Sequence, residues 1–305
     1  MSIKTIWVLL KTTFSQWRQD QASVMAAALA YYTVFSLAPL LIIIIAIAGA
    51  VFGEKAAEGA LVTEIQSVIG KDAAQFIQTA IENASSLDPS QGPIPTLINI
   101  CILLFGASTI FAQLQKSLNR IWKVEPPPGN GIMHFIRKRF LSFSMVLVIA
   151  FLLLVSLVIS TILVILGTYL RTLVPGFTYL WQILNFLVSF SIITLLFAMI
   201  YKILPDAKVA WKDVWMGAAI AAVLFEIGKF LLGFYLGKTG LSSAYGAAGS
   251  LVSILTWVFY SAQILFLGAE FTQVYVKSYS EEIAPAAAAM PIPTICSGES
   301  ERSLP

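Results

Sequence analysis

Long apolar runs constrain this chain more than any other feature. They cover residues 26–52, 95–121, 139–168, 178–203, 211–236 and 249–276. A helix needs ~20 apolar residues to cross ~30 Å of hydrocarbon. In lipid only helices and closed barrels satisfy every backbone group. The runs are continuous and do not alternate with period two, so they read as helices. The expected fold is all-α: a polytopic membrane protein with six transmembrane helices, an N-terminal amphipathic helix and short external amphipathic helices. Composition agrees, since the chain is 58% hydrophobic and 11% charged, where a soluble domain carries about 25% charged residues.

The segment before the first run, residues 1–20, has Ile3, Trp7, Leu10, Phe14 and Trp17 at helical spacing, with Lys4, Lys11 and Arg18 on another face. That pattern suits a helix in the headgroup layer, or equally one packed against the bundle. Residues 21–280 then form the membrane domain, and residues 281–305 have the composition of a disordered tail.

Basic residues set the orientation. With a cytoplasmic N-terminus, the inside receives Lys4, Lys11, Arg18, Lys116, Arg120, Lys123, Arg137, Lys138, Arg139, Lys202, Lys208, Lys212, Lys277 and Arg302. The outside receives only Lys55, Lys71, Arg171 and Lys238. A multi-pass protein of a bacterial inner membrane with both termini cytoplasmic is the expected arrangement. The external connection 53–94 carries two apolar stripes, Leu61, Ile65, Val68 and Phe76, Ile77, Ala80, Ile81. They read as two short helices over the outer mouth, either functional or a plain cap on the helix ends.

The stretch "AAVLFEIGKFLLGFYLG" (221–237) places Glu226 and Lys229 near the middle of the fifth span. A charge at the bilayer centre costs roughly 2.5–3.5 kcal/mol on insertion scales. Pairing the two, one turn apart, removes part of that cost, but buried ion pairs rarely beat apolar replacements. The pair is therefore either structural or part of a pathway. Ala219, Ala222, Glu226, Lys229, Gly233 and Gly237 share a face, and small residues favour close helix approach. That face is expected to turn into the bundle.

Two other spans carry polar seams: Asn99, Gly106, Thr109, Gln113, Lys116 and Arg120 in the second, and Ser253, Thr256, Tyr260, Gln263 and Glu270 in the sixth. Glu270 is expected in the inner half, near Arg120 or Lys212, as a salt bridge or as a gate or relay carboxylate. Pro39 should kink the first span, either as a plain structural kink or as one beside a cavity lined by Tyr31, Tyr32 and Ser36. The candidate pathway is thus Glu226, Lys229, Tyr260, Gln263, Glu270, Arg120, Gln113, Pro39 and Tyr31.

Other chemistries lack their residues. His134 is the one histidine, so neither a metal-ligand cluster nor a Ser-His-Asp set is expected. No phosphate-binding glycine loop precedes a helix. Cys101 and Cys296 are expected on different levels and unpaired. No cleavable signal peptide is read at the N-terminus. No cofactor is expected, and no nucleic acid partner. The basic loop "HFIRKRF" beside a span fits anionic lipid headgroups better.

The strings "LAYYTVFSLAPLL", "YKILPDAKVAWKDVWMGAAIAAVLFEIGKFLLGFYL" and "SAYGAAGSLVSILTWVFYSAQILFLGAEFTQVY" resemble the YihY/virulence factor BrkB family of bacterial inner-membrane proteins, over roughly residues 5–280. The resemblance implies six membrane helices. It touches Tyr31, Pro39, Pro205, Tyr245, Gly246, Gly268 and Glu270 without giving them a chemical role. Some members of the family were labelled ribonuclease BN, a reading the residue inventory disfavours. Others are linked to serum resistance or envelope lipid export. The leading expectation is a non-enzymatic transporter or lipid translocase with a polar cavity between helices 2, 5 and 6. The alternative is a membrane scaffold or envelope assembly factor.

Overall fold

A computed structural model describes residues 3–69, 74, 75, 77–79, 81, 93–125, 177–239, 248–279, 290 and 291. Nearly all of these are helical. The helices are α1 (Ile3–Gln19), α2 (Ala22–Phe52), α3 (Glu54–Ile69), α4 (Pro93–Ile121), α5 (Phe177–Ile203), α6 (Trp211–Thr239) and α7 (Gly249–Tyr279). Five of them, α2 and α4 to α7, are long and apolar enough to cross a membrane. They coincide with five of the expected spans. The span expected at 139–168 lies outside the described residues, as do His134, Tyr245, Gly246 and Cys296.

Local chemistry explains where the helices stop. α1 gives way to α2 at Asp20 and Gln21, and Gln21 takes a left-handed conformation (φ 56°) between the two helices. α2 runs as helix through Pro39 and ends at Gly53 (φ 87°). Glycine adopts that backbone without a Cβ penalty, and its N–H reaches the Gly49 carbonyl at 2.9 Å. α5 ends one residue before the Leu204–Pro205 step, because proline disfavours helical backbone in the residue it follows.

The packing order is α4, α2, α7, α6, α5, with α1 lying on α7. Close glycine contacts mark two of these crossings, α6–α7 and α4–α2. A Cβ on Gly217 of α6 would come within 1.8 Å of Thr272 Oγ1 and 2.9 Å of the Gly268 carbonyl oxygen on α7. A Cβ on Gly228 would lie 2.1 Å from the Tyr260 ring. On the other side, Gly106 of α4 sits against Pro39 of α2, at 3.1 Å from such a Cβ to Cγ. In lipid, where apolar surface gains nothing by leaving the solvent, small residues that let backbones approach supply the association energy.

The main core centres on Leu118, Ile121 and Trp122 at the end of α4, with Tyr201, Ala218, Ala221, Phe266 and Ala269. The Tyr201 hydroxyl donates to the Leu265 carbonyl at 2.8 Å. A second cluster joins Leu41, Ile44 and Ile45 of α2 to Ile254 of α7 and to Ile77 and Ile81. Ile77 and Ile81 of the connection 53–94 therefore pack against α2 and α7.

α1 meets α7 through Leu9, which packs with Phe271 and Val274. Trp7, Leu10 and Phe14 point away from the bundle, Trp7 being 70% exposed. The buried side of α1 is thus Leu9 and Thr13, with Trp17 partly buried against the main core, while Trp7 and Phe14 are left outside. The expected tail, residues 281–305, lies outside the described residues except for Met290–Pro291. These pair antiparallel with Val124–Glu125 as a two-residue ladder.

Candidate functional site

Glu226 and Lys229 pair on α6. The Lys229 ammonium lies 3.0 Å from Glu226 Oε2 and 3.2 Å from Oε1. Their neighbours are not the ones expected. Glu226 lines a groove between α5 and α6 walled by Phe186, Phe190, Val223, Ile227, Phe230 and Leu231, with a volume of about 390 Å³. Phe230 is 76% exposed and the Lys229 side chain 40%. Among the described residues, the groove opens away from the α6–α7 contact. The face of α6 that enters the bundle carries Val214, Gly217, Ala218, Ala221, Gly228 and Leu232, with Ala222 shared between the two faces.

The polar seams of the second and sixth spans do not face α6 together. In α4, Gly106 and Thr109 meet α2: Thr109 Oγ1 lies 2.6 Å from Ser36 Oγ and also bonds the Gly106 carbonyl. Gln113 is half-buried, while Lys116 and Arg120 are exposed. In α7, the Ser253 and Thr256 hydroxyls donate to carbonyls of their own helix, at 2.9 and 2.8 Å. Tyr260 lays its ring on Gly228. Gln263 has a buried Oε1 without a partner among the described residues. Tyr31 is exposed and stacks along α2 with Tyr32 and Phe35. Ser36 is buried, but it serves the α2–α4 contact. The structure therefore brings Glu226 together with Lys229 and sets the remaining candidates on separate interfaces.

Glu270 has the most unusual surroundings. It is fully buried, and the charges acting on it are Asp20, Lys123 and Lys277, in place of the expected Arg120 or Lys212. Asp20 is itself buried, and Lys123 contacts both its carboxylate oxygens. Lys123 takes a left-handed backbone (φ 55°) just beyond α4. This junction of α1, α4 and α7 was not anticipated from sequence. The signal available was depth: Asp20, Lys123 and Lys277 each lie within about two turns of a span end on the expected inner side.

A second polar set ties the α5–α6 connection to α4. Asn119 Nδ2 donates to Asp206 Oδ2 at 2.7 Å, and Asn119 Oδ1 accepts from the Asp206 N–H at 2.8 Å. Gln115 adds a longer bond to Oδ1 at 3.3 Å. Lys202 caps the same loop by donating to the Val209 carbonyl.

Residues 13–293 match the family described as virulence factor BrkB. The chain belongs to that family. The match takes in the last turns of α1, all of α2 to α7 and both short strands. Similar proteins include a UPF0761 membrane protein of Aeromonas salmonicida, 28% identical over 89% of this chain and 91% of its own length. One of Mannheimia succiniciproducens is 27% identical over 88% of this chain and 89% of its own. Against a Verminephrobacter eiseniae relative, at 27% identity, the chain spans 63% of that protein's length. Each is named only as a membrane protein. No solved structure matches. Among the described residues, no three His, Cys, Asp or Glu side chains converge as metal ligands.

Proposed function

We propose that this BrkB-family protein binds an amphipathic lipid at the α5–α6 groove and moves it between the leaflets of the bacterial inner membrane. The observation that carries the reading is an ion pair, Glu226 and Lys229, set into an otherwise apolar, open groove. An acyl chain matches the aromatic and aliphatic walls. A zwitterionic or anionic headgroup matches a carboxylate and an ammonium that no described residue other than each other neutralises by contact. The pair stays neutral overall when empty, which limits its cost in hydrocarbon. α1 supports the same reading. It carries exposed Lys4, Lys11 and Arg18, no acidic residue, and exposed Trp7 and Phe14. That combination holds a helix at an anionic membrane surface, here at the cytoplasmic leaflet.

Reconstitution tests this directly. In mixed phosphatidylethanolamine–phosphatidylglycerol vesicles, wild-type protein should move a headgroup-labelled lipid across the bilayer. The double variant Glu226→Leu/Lys229→Met should fold and lose that activity. Full activity in the double variant would remove the basis of the proposal. One observation favours the alternative of a non-transporting scaffold. The described interior is closed by tight crossings, Gly217 on Thr272 and Gly228 on Tyr260, and leaves no passage between α6 and α7. A scaffold predicts no lipid movement by the wild-type protein.

A further inference from the structure

Glu270 is fully buried in α7, and neither of its oxygens has a hydrogen-bond partner among the described residues. One turn further on, Gln273 is also fully buried, and its amide nitrogen and oxygen are both unpartnered. The same holds for Gln16 Oε1 and the Trp17 indole N–H, one turn before Asp20, and for the Trp122 indole N–H beside Lys123. The charged groups acting on Glu270 are Asp20 after α1, Lys123 after α4 and Lys277 on α7 itself. α2 carries no charged residue. The surface of α6 packed on α7 here is Gly217, Ala218 and Ala221, and from α5 the Tyr201 hydroxyl is spent on the Leu265 carbonyl.

An ionised Glu270 would be a buried anion with no cation in contact. Lys123 is engaged by both oxygens of Asp20, and Lys277 is exposed. A buried charge must be paired or given up. The orphaned atoms nearby include both donors and acceptors. A single bound ion cannot satisfy both kinds, whereas water can.

We propose that Glu270 is a proton-binding carboxyl at the end of a small hydrated pocket, exchanging its proton with the aqueous phase by way of Asp20. The proton leaves a Glu270 oxygen for water or for an Asp20 oxygen; the Lys123 ammonium favours the Asp20 carboxylate, so Asp20 releases the proton outward and the Asp20–Lys123 pair returns to neutral. No other bond changes. As the driving ion for lipid movement this site rests on the function proposed above; as a proton site it stands alone.

Infrared difference spectroscopy of the full chain in lipid nanodiscs tests it. Wild-type protein should show a protonated-carboxyl stretch that shifts on transfer to deuterated water. Glu270→Gln should lose the band. Asp20→Asn should keep it at a displaced frequency, because the carboxylate acting on Glu270 has become a neutral amide. Absence of the band in wild type, or its persistence in Glu270→Gln, would overturn the proposal. Should Glu270→Gln fail to fold, Asp20→Asn carries the test, and an undisplaced band there would be equally fatal. The Glu226→Leu/Lys229→Met variant should retain the band, so failure of the lipid reading and failure of the proton site are read separately.

Discussion

Single glycines set how closely the helices approach, and they differ in how much room they leave. A methyl group at position 217 would strike Thr272 Oγ1, which is buried and committed to the Gly268 carbonyl at 2.7 Å, with the Gly268 backbone just beyond. Neither can yield cheaply. At position 106 the same methyl meets only Pro39 side-chain carbons, at 3.1 and 3.4 Å. Overpacking a tight contact costs about 1–3 kcal/mol. Thermal unfolding in detergent should therefore show Gly217→Ala losing that amount and Gly106→Ala much less. Adding Thr272→Ala should restore part of the loss at 217 and change nothing at 106. Equal losses at the two glycines would show that these crossings do not fix the spacing. Residue by residue, the sequence announced the small residues but not which face used them. Glu226 and Gly228 are two residues apart, about 200° around a helix. The seam through Ala222, Gly233 and Gly237 drew the expected contact to the charged side. The side that packs is the one where α7 supplies a tyrosine to fill the notch at Gly228. That choice belongs to the partner helix, so α6 alone could not show it.

Elements, by contrast, were mostly legible. Continuous apolar runs gave α2 and α4 to α7 to within a few residues, because length and hydropathy decide a span without reference to its neighbours. The connections between them were not legible. Asn119 and Asp206 are 87 residues apart, and neither lies on a repeating pattern. Yet they exchange two hydrogen bonds and fasten the end of α5 and the start of α6 to α4. Hydrogen bonds to a charged group contribute about 1.5–3 kcal/mol each. Asn119→Ala and Asp206→Ala should each destabilise by roughly that much. The double variant should lose clearly less than the sum, since both singles remove the same Asn119 Nδ2–Asp206 Oδ2 bond. Strict additivity in a double-mutant cycle would mean that the connection is held elsewhere. The charged junction of Asp20, Lys123 and Glu270 was missed for the same reason. Each residue read singly is an ordinary span-end charge, and only the folding of α1 back onto α7 brings them together.

At the scale of the whole molecule, the described helix ends bear on how many times the chain crosses. The end of α4 meets the connection after α5 through the Asn119–Asp206 bonds, so both helices finish on one side of the bundle. α5 is 27 residues long, about 40 Å at 1.5 Å per residue, so it begins on the opposite side. A chain that leaves α4 on one side and enters α5 on the other is predicted to cross an odd number of times in between. The apolar run 139–168 is the stretch whose length and composition suit one crossing. The packing of Leu9 on Phe271 and Val274 likewise places the C-terminal part of α7 beside α1, which ends at Asp20. Both ends of the membrane domain then share a side, and the basic excess of the inner set predicts that this side faces the cytoplasm. Single cysteines in a background lacking Cys101 and Cys296 will test this, using a membrane-impermeant thiol reagent on oriented vesicles. Positions 4, 130 and 278 should label together from one face, and positions 55 and 172 from the other. Labelling of 130 and 172 from the same face would remove the crossing between α4 and α5, and with it the six-span arrangement.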